Sequence, residues 1–112
     1  MSKKVKIINL TGHEVKLRTP RGAERIIPSH GKLRARYTTR EFGNLDTEYG
    51  EIPLTKNYYQ RVKDIPEPEE GVYYLVSRLF AEIYPERDDF LITNGIIKEG
   101  TMIVACRSLA KI

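Results

Sequence analysis

Between Lys32 and Tyr37 the chain alternates strictly: Leu33, Ala35 and Tyr37 interleave with Lys32, Arg34 and Arg36. A two-residue period fits an extended strand and no helix, so this segment predicts a strand with one apolar and one cationic face. Shorter versions recur. Val5 and Ile7 alternate with polar neighbours between Lys4 and Leu10, and Val15 and Leu17 alternate with Glu14, Lys16 and Arg18. Turn signals separate them: Thr11-Gly12-His13, Pro20-Arg21-Gly22, and Pro28 before Ser29-His30-Gly31. The first of these predicts a β-hairpin joining the strands on either side. Arg25 to Ile27 reads as a further short strand.

The middle of the chain is less regular. Gly43, Asn44 and Gly50 signal turns, Glu51 and Ile52 a weak strand, and Leu54 to Lys63 is ambiguous, with Tyr58, Tyr59 and Val62 favouring strand. Ile65 to Gly71 carries two prolines and reads as an extended loop. Val72 to Val76 is apolar on both faces, as a strand in the middle of a sheet must be. Ser77 is placed to cap a following helix, whose apolar face would hold Leu79, Phe80, Ile83 and Tyr84 before Pro85. Phe90 to Thr93, Ile96 to Lys98 and Thr101 to Arg107 read as strands around turns at Asn94-Gly95 and Glu99-Gly100. The fold class expected is α+β: a mostly antiparallel β-sheet with one principal short helix after a central strand, in a single domain over residues 1–112.

With 40% apolar and 30% charged residues, a chain of 112 residues can bury a core. No apolar run approaches the length of a transmembrane helix, and no cationic segment followed by an apolar stretch opens the chain. A lone cysteine, Cys106, cannot close an internal disulfide. These features point to a protein at work in the cytoplasm, away from membranes.

Charge is unevenly divided. Residues 1–45 hold eleven Lys and Arg against three acids, a net +8, and residues 46–112 hold eight against twelve, a net −4. If the first, second and fourth strands share a sheet, Lys4, Lys6, Lys16, Arg18, Lys32, Arg34 and Arg36 fall on one side. Same-face residues on a strand repeat at about 6.6–6.8 Å, near the phosphate spacing of one nucleic-acid strand. Tyr37, Tyr58, Tyr59, Tyr73 and Tyr74 are candidates to stack on bases. Lys16, Arg18, Lys32, Arg34 and Arg36 are therefore the candidate nucleic-acid-binding residues. The plain alternative is a solvated sheet face, whose Lys and Arg protect the edges.

Other chemistry is weakly signalled. Glu82, Glu86, Asp88 and Asp89 lie near the helix, and Glu82, Asp88 and Asp89 are candidates for a metal-dependent nuclease or hydrolase. Arg87 between the acids instead favours an internal Arg87–Asp89 clamp. His13, and Ser29 beside His30, show no partner spacing for catalysis, and Cys106 sits in an apolar strand as a small hydrophobe. Glu14-Val15-Lys16 matches part of a nuclease motif without its upstream Asp, and no glycine-rich phosphate loop occurs. Neither a catalytic residue nor a resident metal or cofactor is assigned.

Several stretches taken together resemble short uncharacterised proteins of phages, mobile elements and archaeal viruses. They are Asn9 to His13, Ile27-Pro28-Ser29 before Gly31, Pro66 to Gly71, Tyr74 to Ser77, Pro85 to Asp89, and Cys106-Arg107. The resemblance implies a viral or mobile-element origin and no activity. Single Gln60 and Cys106, absent Trp, and abundant charge add a thermophile-like composition. The functional expectation is a non-catalytic binding protein for nucleic acid or an acidic protein surface. The metal-dependent enzyme and a self-associating protein are the alternatives.

Overall fold

The computed structural model describes residues 4–62 and 64–112. Lys3, counted in the basic half, and Lys63, the end of the ambiguous segment, lie outside the described residues. Eight strands and one helix follow in the order β1 (Lys6–Asn9), β2 (Val15–Arg18), β3 (Glu24–Ile27), β4 (Arg36–Thr47), β5 (Gly50–Gln60), β6 (Val72–Leu75), α1 (Arg78–Ile83), β7 (Phe90–Glu99) and β8 (Met102–Ala110). Six strands form one sheet in the order β1-β6-β7-β8-β2-β3, and β4 and β5 form a separate two-stranded ribbon. The described residues are mostly β with one short helix.

The doubly apolar run forms an interior strand, one in from the sheet edge. β6 has parallel neighbours on both sides, β1 and β7. Tyr74 and Val76 therefore point to one face and Leu75 to the other, and all three are buried. On the first face they join Phe80, Ala81 and Tyr84 from and beside α1, with Phe90 and Ile92 of β7. Aromatic rings fill this layer, with Phe90 edge-on to Tyr74 and 5.7 Å from Phe80. On the other face Leu75 meets Val15 and Cys106, flanked by Ile7, Leu17 and Leu109. Ser77 caps α1 by accepting the Phe80 N–H at 3.2 Å. Six residues cannot hold a helix alone, so the Phe80 and Tyr84 contacts do so.

Four sequence expectations are corrected. The main sheet is mixed rather than mostly antiparallel: β1–β6, β6–β7 and β2–β8 are parallel. The β1–β2 hairpin does not form, because β1 is drawn to β6 while β2 pairs with β3 and β8. Asn94-Gly95 is no turn. β7 runs through it to Glu99, and Gly95 (φ +67°) lets Arg107 of the paired strand pass, since a Cβ there would sit 3.0 Å from the Arg107 Cβ. The alternating segment Lys32 to Tyr37 becomes a strand only from Arg36. Lys32 makes one isolated bridge to Thr11, and Leu33 uses its apolar side to plug the aromatic layer.

The edges of the main sheet are drawn together by Asn9. Its side chain is fully buried and bonded at both ends: Nδ2 donates to the carbonyls of His13 (2.9 Å) and Ile27 of β3 (3.2 Å), and Oδ1 accepts from the amide and hydroxyl of Thr11. Its backbone N–H donates to His30 Nδ1 and its carbonyl accepts the His30 N–H. One edge strand is thereby fastened to the other, which curls the sheet around Leu75.

A second fastening is the expected Arg87–Asp89 clamp. Arg87 donates to both Asp89 carboxylate oxygens at 2.8 and 2.7 Å and to the Pro66 carbonyl, and its guanidinium lies 4.3 Å from the Phe90 ring centroid. The hydrogen bond from Arg87 holds the Asp89 carboxyl below its ordinary pKa, and Asp89 raises that of Arg87.

Two stability measurements check these fastenings. Asn9→Asp keeps the shape but turns a carboxylate oxygen toward two carbonyls, and urea unfolding at neutral pH should show a loss of about 3 kcal/mol. Arg87→Ala strands a largely buried carboxylate and should cost about 2–3 kcal/mol at pH 7. Because Asp89 has a depressed pKa in the folded protein, the clamp's contribution is present above the unfolded value of about 3.9 and fades as pH falls through the folded value. The deficit of Arg87→Ala should therefore shrink in acid.

Candidate nucleic-acid interface

Strands β4 and β5 pack chiefly on each other. They extend as an arm, and the molecule measures 62 × 39 × 20 Å with a radius of gyration of 18.1 Å. A compact chain of this length has a radius of about 13 Å. The arm turns at Glu48-Tyr49, where Gly50 adopts φ +99°. Gly43, read as a turn from sequence, instead sits in a bulge between Glu41 and Asn44.

The root of the arm is fixed on both limbs. Leu33 enters the aromatic core just before β4. Just after β5, the Val62 N–H donates to the Tyr84 hydroxyl at 2.6 Å, and Arg61 pairs with both oxygens of Glu86 while stacking on Tyr84. The hydrogen bond from Arg61 contributes to lowering the Glu86 pKa, after that from the backbone amide of Glu86 itself.

Register assigns the arm's side chains to two faces. Arg36 pairs with Gln60, Thr38 with Tyr58 and Arg40 with Lys56 on one face. There Tyr58 lies between two cations, with Arg40 Cζ 5.5 Å and Lys56 Nζ 5.3 Å from its ring centroid. The reverse face carries the Tyr37–Tyr59 pair, with centroids 5.6 Å apart, and the Thr39–Asn57 hydrogen bond. These cross-strand pairs hold the ribbon in place of a core.

The five candidate cations are divided between body and arm. Lys16 and Arg18 lie on β2 in the main sheet. Lys16 borders a groove of about 470 Å³ shared with His13, Ile96, Met102 and Ile103. Arg18 is engaged by Glu24 of β3 at 2.7 Å, a hydrogen bond that lowers the Glu24 pKa. Lys32 lays its stem over Gly12, where φ is +90° and a Cβ would meet the Lys32 Cδ at 2.6 Å. Arg34 is exposed between Leu33 and Ala35, and Arg36 opens β4. The expected single face through the first, second and fourth strands does not form, because β4 leaves the main sheet. Lys32, Arg34 and Arg36 instead lead into Arg40 and Lys56. Among the described residues, Lys32, Arg34, Arg36, Arg40 and Lys56 form no ion pair, and the acidic half satisfies Arg61, Arg78 and Arg87 from its own Glu86, Glu82 and Asp89.

Sequence reading missed Arg40, Lys56 and Tyr58 as one group. The signal is the i, i+2, i+4 spacing of Arg36-Thr38-Arg40 against Lys56-Tyr58-Gln60, which becomes visible once the turn is placed at Glu48 rather than Gly43.

The acids proposed for metal chemistry are dispersed among these pairs. Glu82 meets Arg78, Asp89 meets Arg87, and Asp88 is exposed. Among the described residues, no three His, Cys, Asp or Glu side chains gather closely enough to hold a metal ion. Ser29 Oγ bonds to Gly31 rather than to His30, whose Nδ1 is taken by Asn9. Cys106 is buried, donates to the Lys16 carbonyl at 3.5 Å, and has its pKa raised by burial. No helix among the described residues is long and apolar enough to cross a membrane. In comparisons with protein families, curated proteins and solved structures, the chain matches none.

Burial of Cys106 is directly measurable. A thiol reagent at pH 8 should label the native protein at least about a hundredfold more slowly than the urea-unfolded chain, because the nucleophile is the exposed thiolate.

Proposed function

We propose that the protein is a non-catalytic binding protein whose arm root grips the backbone of a nucleic-acid strand. The observation that carries this reading is the run Lys32, Arg34, Arg36, Arg40 with Lys56, which has no ion-pair partner among the described residues and flanks an exposed tyrosine. Arg36 and Arg40 are four residues apart on one strand face, about 13 Å, which spans two successive steps of a single strand. Guanidinium groups would bind the phosphates, and Tyr58 offers a sequence-indifferent surface for a base. Lys16 and Arg18 on β2 are secondary in this reading, since Arg18 is already neutralised by Glu24. The resemblance of short motifs to proteins of viruses and mobile elements supports a setting inside a host cell, where nucleic acid is abundant.

Fluorescence anisotropy with short single-stranded DNA, RNA and duplex across a salt series tests the reading. Affinity should be highest for single strands and fall steeply with salt, because binding releases counterions. Arg34→Glu with Arg36→Glu should weaken binding at least about tenfold and flatten the salt slope by about 1.4, from two lost single-strand contacts. Lys16→Glu should have a smaller effect. Absence of affinity at low salt would reject the proposal.

A further inference from the structure

Of the arginines in residues 46–112, Arg61, Arg78 and Arg87 are paired with acids, and among the described residues Arg107 of β8 is not. The fold nonetheless makes room for it. Gly95, in the middle of β7, adopts φ +67°. A Cβ there would lie 3.0 Å from the Arg107 Cβ and 3.6 Å from its Cδ, so the arginine stem takes the place of the missing side chain. A glycine inside a strand weakens it. The parallel register of Leu17 with Cys106 also sets Arg107 beside Arg18 of β2, and like charges on neighbouring strands repel. Two local penalties meet at one place.

Both arginines border a groove of about 410 Å³, completed by Thr19, Pro20 and Gly22 of the β2–β3 turn and by Ile97 of β7. Its polar wall consists of donors. Glu24 accepts from Arg18 Nε and Nη2 at 3.2 and 2.7 Å, which orients the guanidinium and leaves Nη1 without a partner among the described residues. The Thr19 hydroxyl oxygen accepts the Ala23 N–H at 3.2 Å, so its own proton remains to be donated. The turn presenting it is fixed by two backbone hydrogen bonds of 2.9 Å, from Thr19 N–H to the Ala23 carbonyl and from Gly22 N–H to the Thr19 carbonyl. The groove's lining carries no acid, and Glu24 offsets only one of its two charges.

We infer that this groove binds a phosphate group, with Arg18 and Arg107 on its oxygens and the Thr19 hydroxyl as a further donor. Guanidinium forks match phosphate oxygens in geometry and charge, and such hydrogen bonds are about twice as strong as neutral ones. Pro20 and Ile97 supply an apolar wall for the organic part of an ester. The groove's volume falls in the range of roughly 300–1,000 Å³ usual for small-molecule sites. A bound phosphate also removes the repulsion between the two arginines. Free esters such as nucleotides and the backbone of a nucleic acid present the same oxygens. The site lies on β2, β7, β8 and the β2–β3 turn, apart from the cations of the arm root, and does not rest on the strand-binding reading.

Arginine Nε–Hε NMR spectra of the full chain, recorded at constant ionic strength, test the inference. The probes are sodium phosphate, AMP and a short single-stranded DNA with 5′-hydroxyl ends, with acetate as the control anion. Phosphate or AMP should move the Arg18 and Arg107 signals saturably, with Kd on the order of 1 mM, while acetate leaves them in place. Arg107→Leu keeps a side chain over Gly95 and should weaken binding at least about tenfold with an unchanged thermal transition. Arg107→Lys, which keeps the charge and loses the fork, should fall between. In Arg34→Glu/Arg36→Glu protein, phosphate affinity should be unchanged whether or not the arm binds strands, which separates the two proposals. On that variant, AMP binding tighter than the DNA identifies a free ester as the source of the phosphate, and the reverse order identifies the backbone. No saturable shift with any phosphate probe, an equal shift with acetate, or undiminished binding by Arg107→Leu would each overturn the inference.

Discussion

The buried Asn9 amide does something no apolar side chain at that position would do. A sheet of six short strands has two edges, and the hydrophobic effect gives no instruction about which edges should meet. Asn9 supplies the instruction through directional bonds. Its two N–H groups reach carbonyls of the β1–β2 connection and of β3, while its oxygen folds Thr11 back beneath it. His30 then closes onto the Asn9 backbone, which sets where the chain leaves β3 and so where Leu33 enters the core. The launch point of the arm is thus determined by a polar contact some distance away. Every polar group of the Asn9 side chain is satisfied, as a buried amide requires.

The body and the arm rest on different physics. In the body, Leu75, Val76, Phe80 and Phe90 are almost wholly removed from water, and burial is the main stabilising term. In the arm every strand residue but Thr47 is exposed, and stability comes from main-chain pairing, tyrosine contacts and the fixed root. The charge asymmetry between the sequence halves follows the same division. The acids of the C-terminal half that form ion pairs do so with arginines of that half, around α1 and the loop after it. The cations leading from β3 into β4 are left facing solvent at the root.

The sequence made some of this legible. The doubly apolar run Val72 to Val76 named the central strand, Ser77 named the helix start, and Arg87 beside Asp89 named the clamp. Each depends on local chemistry, so each could be read locally. Pairing could not. The Lys32 to Tyr37 alternation expresses Leu33 filling a core and Arg36 opening a ribbon, two roles with the same period as one strand. Gly43 and Gly95 look like turns because glycine marks positive φ, but one relieves a bulge and the other a close approach by Arg107. Nothing in the period says which sheet a strand joins, so the alternation alone does not separate β4 from the main sheet.

The bulge at Phe42-Gly43 bears on how such an arm can change length over evolution. Side chains alternate faces, so inserting one residue in each strand would exchange, beyond it, the side of Leu45 and Ile52 with the side of Asp46 and Glu51. Inserting two in each would preserve them and lengthen the arm by about 7 Å. Reach is therefore adjustable only in coarse increments, like notches on a ruler. The bulge is the one place along β4 where an odd residue is already accommodated, and it separates the Arg40–Lys56 pair from the Leu45–Ile52 pair. Selection can thus resize one segment without scrambling the other.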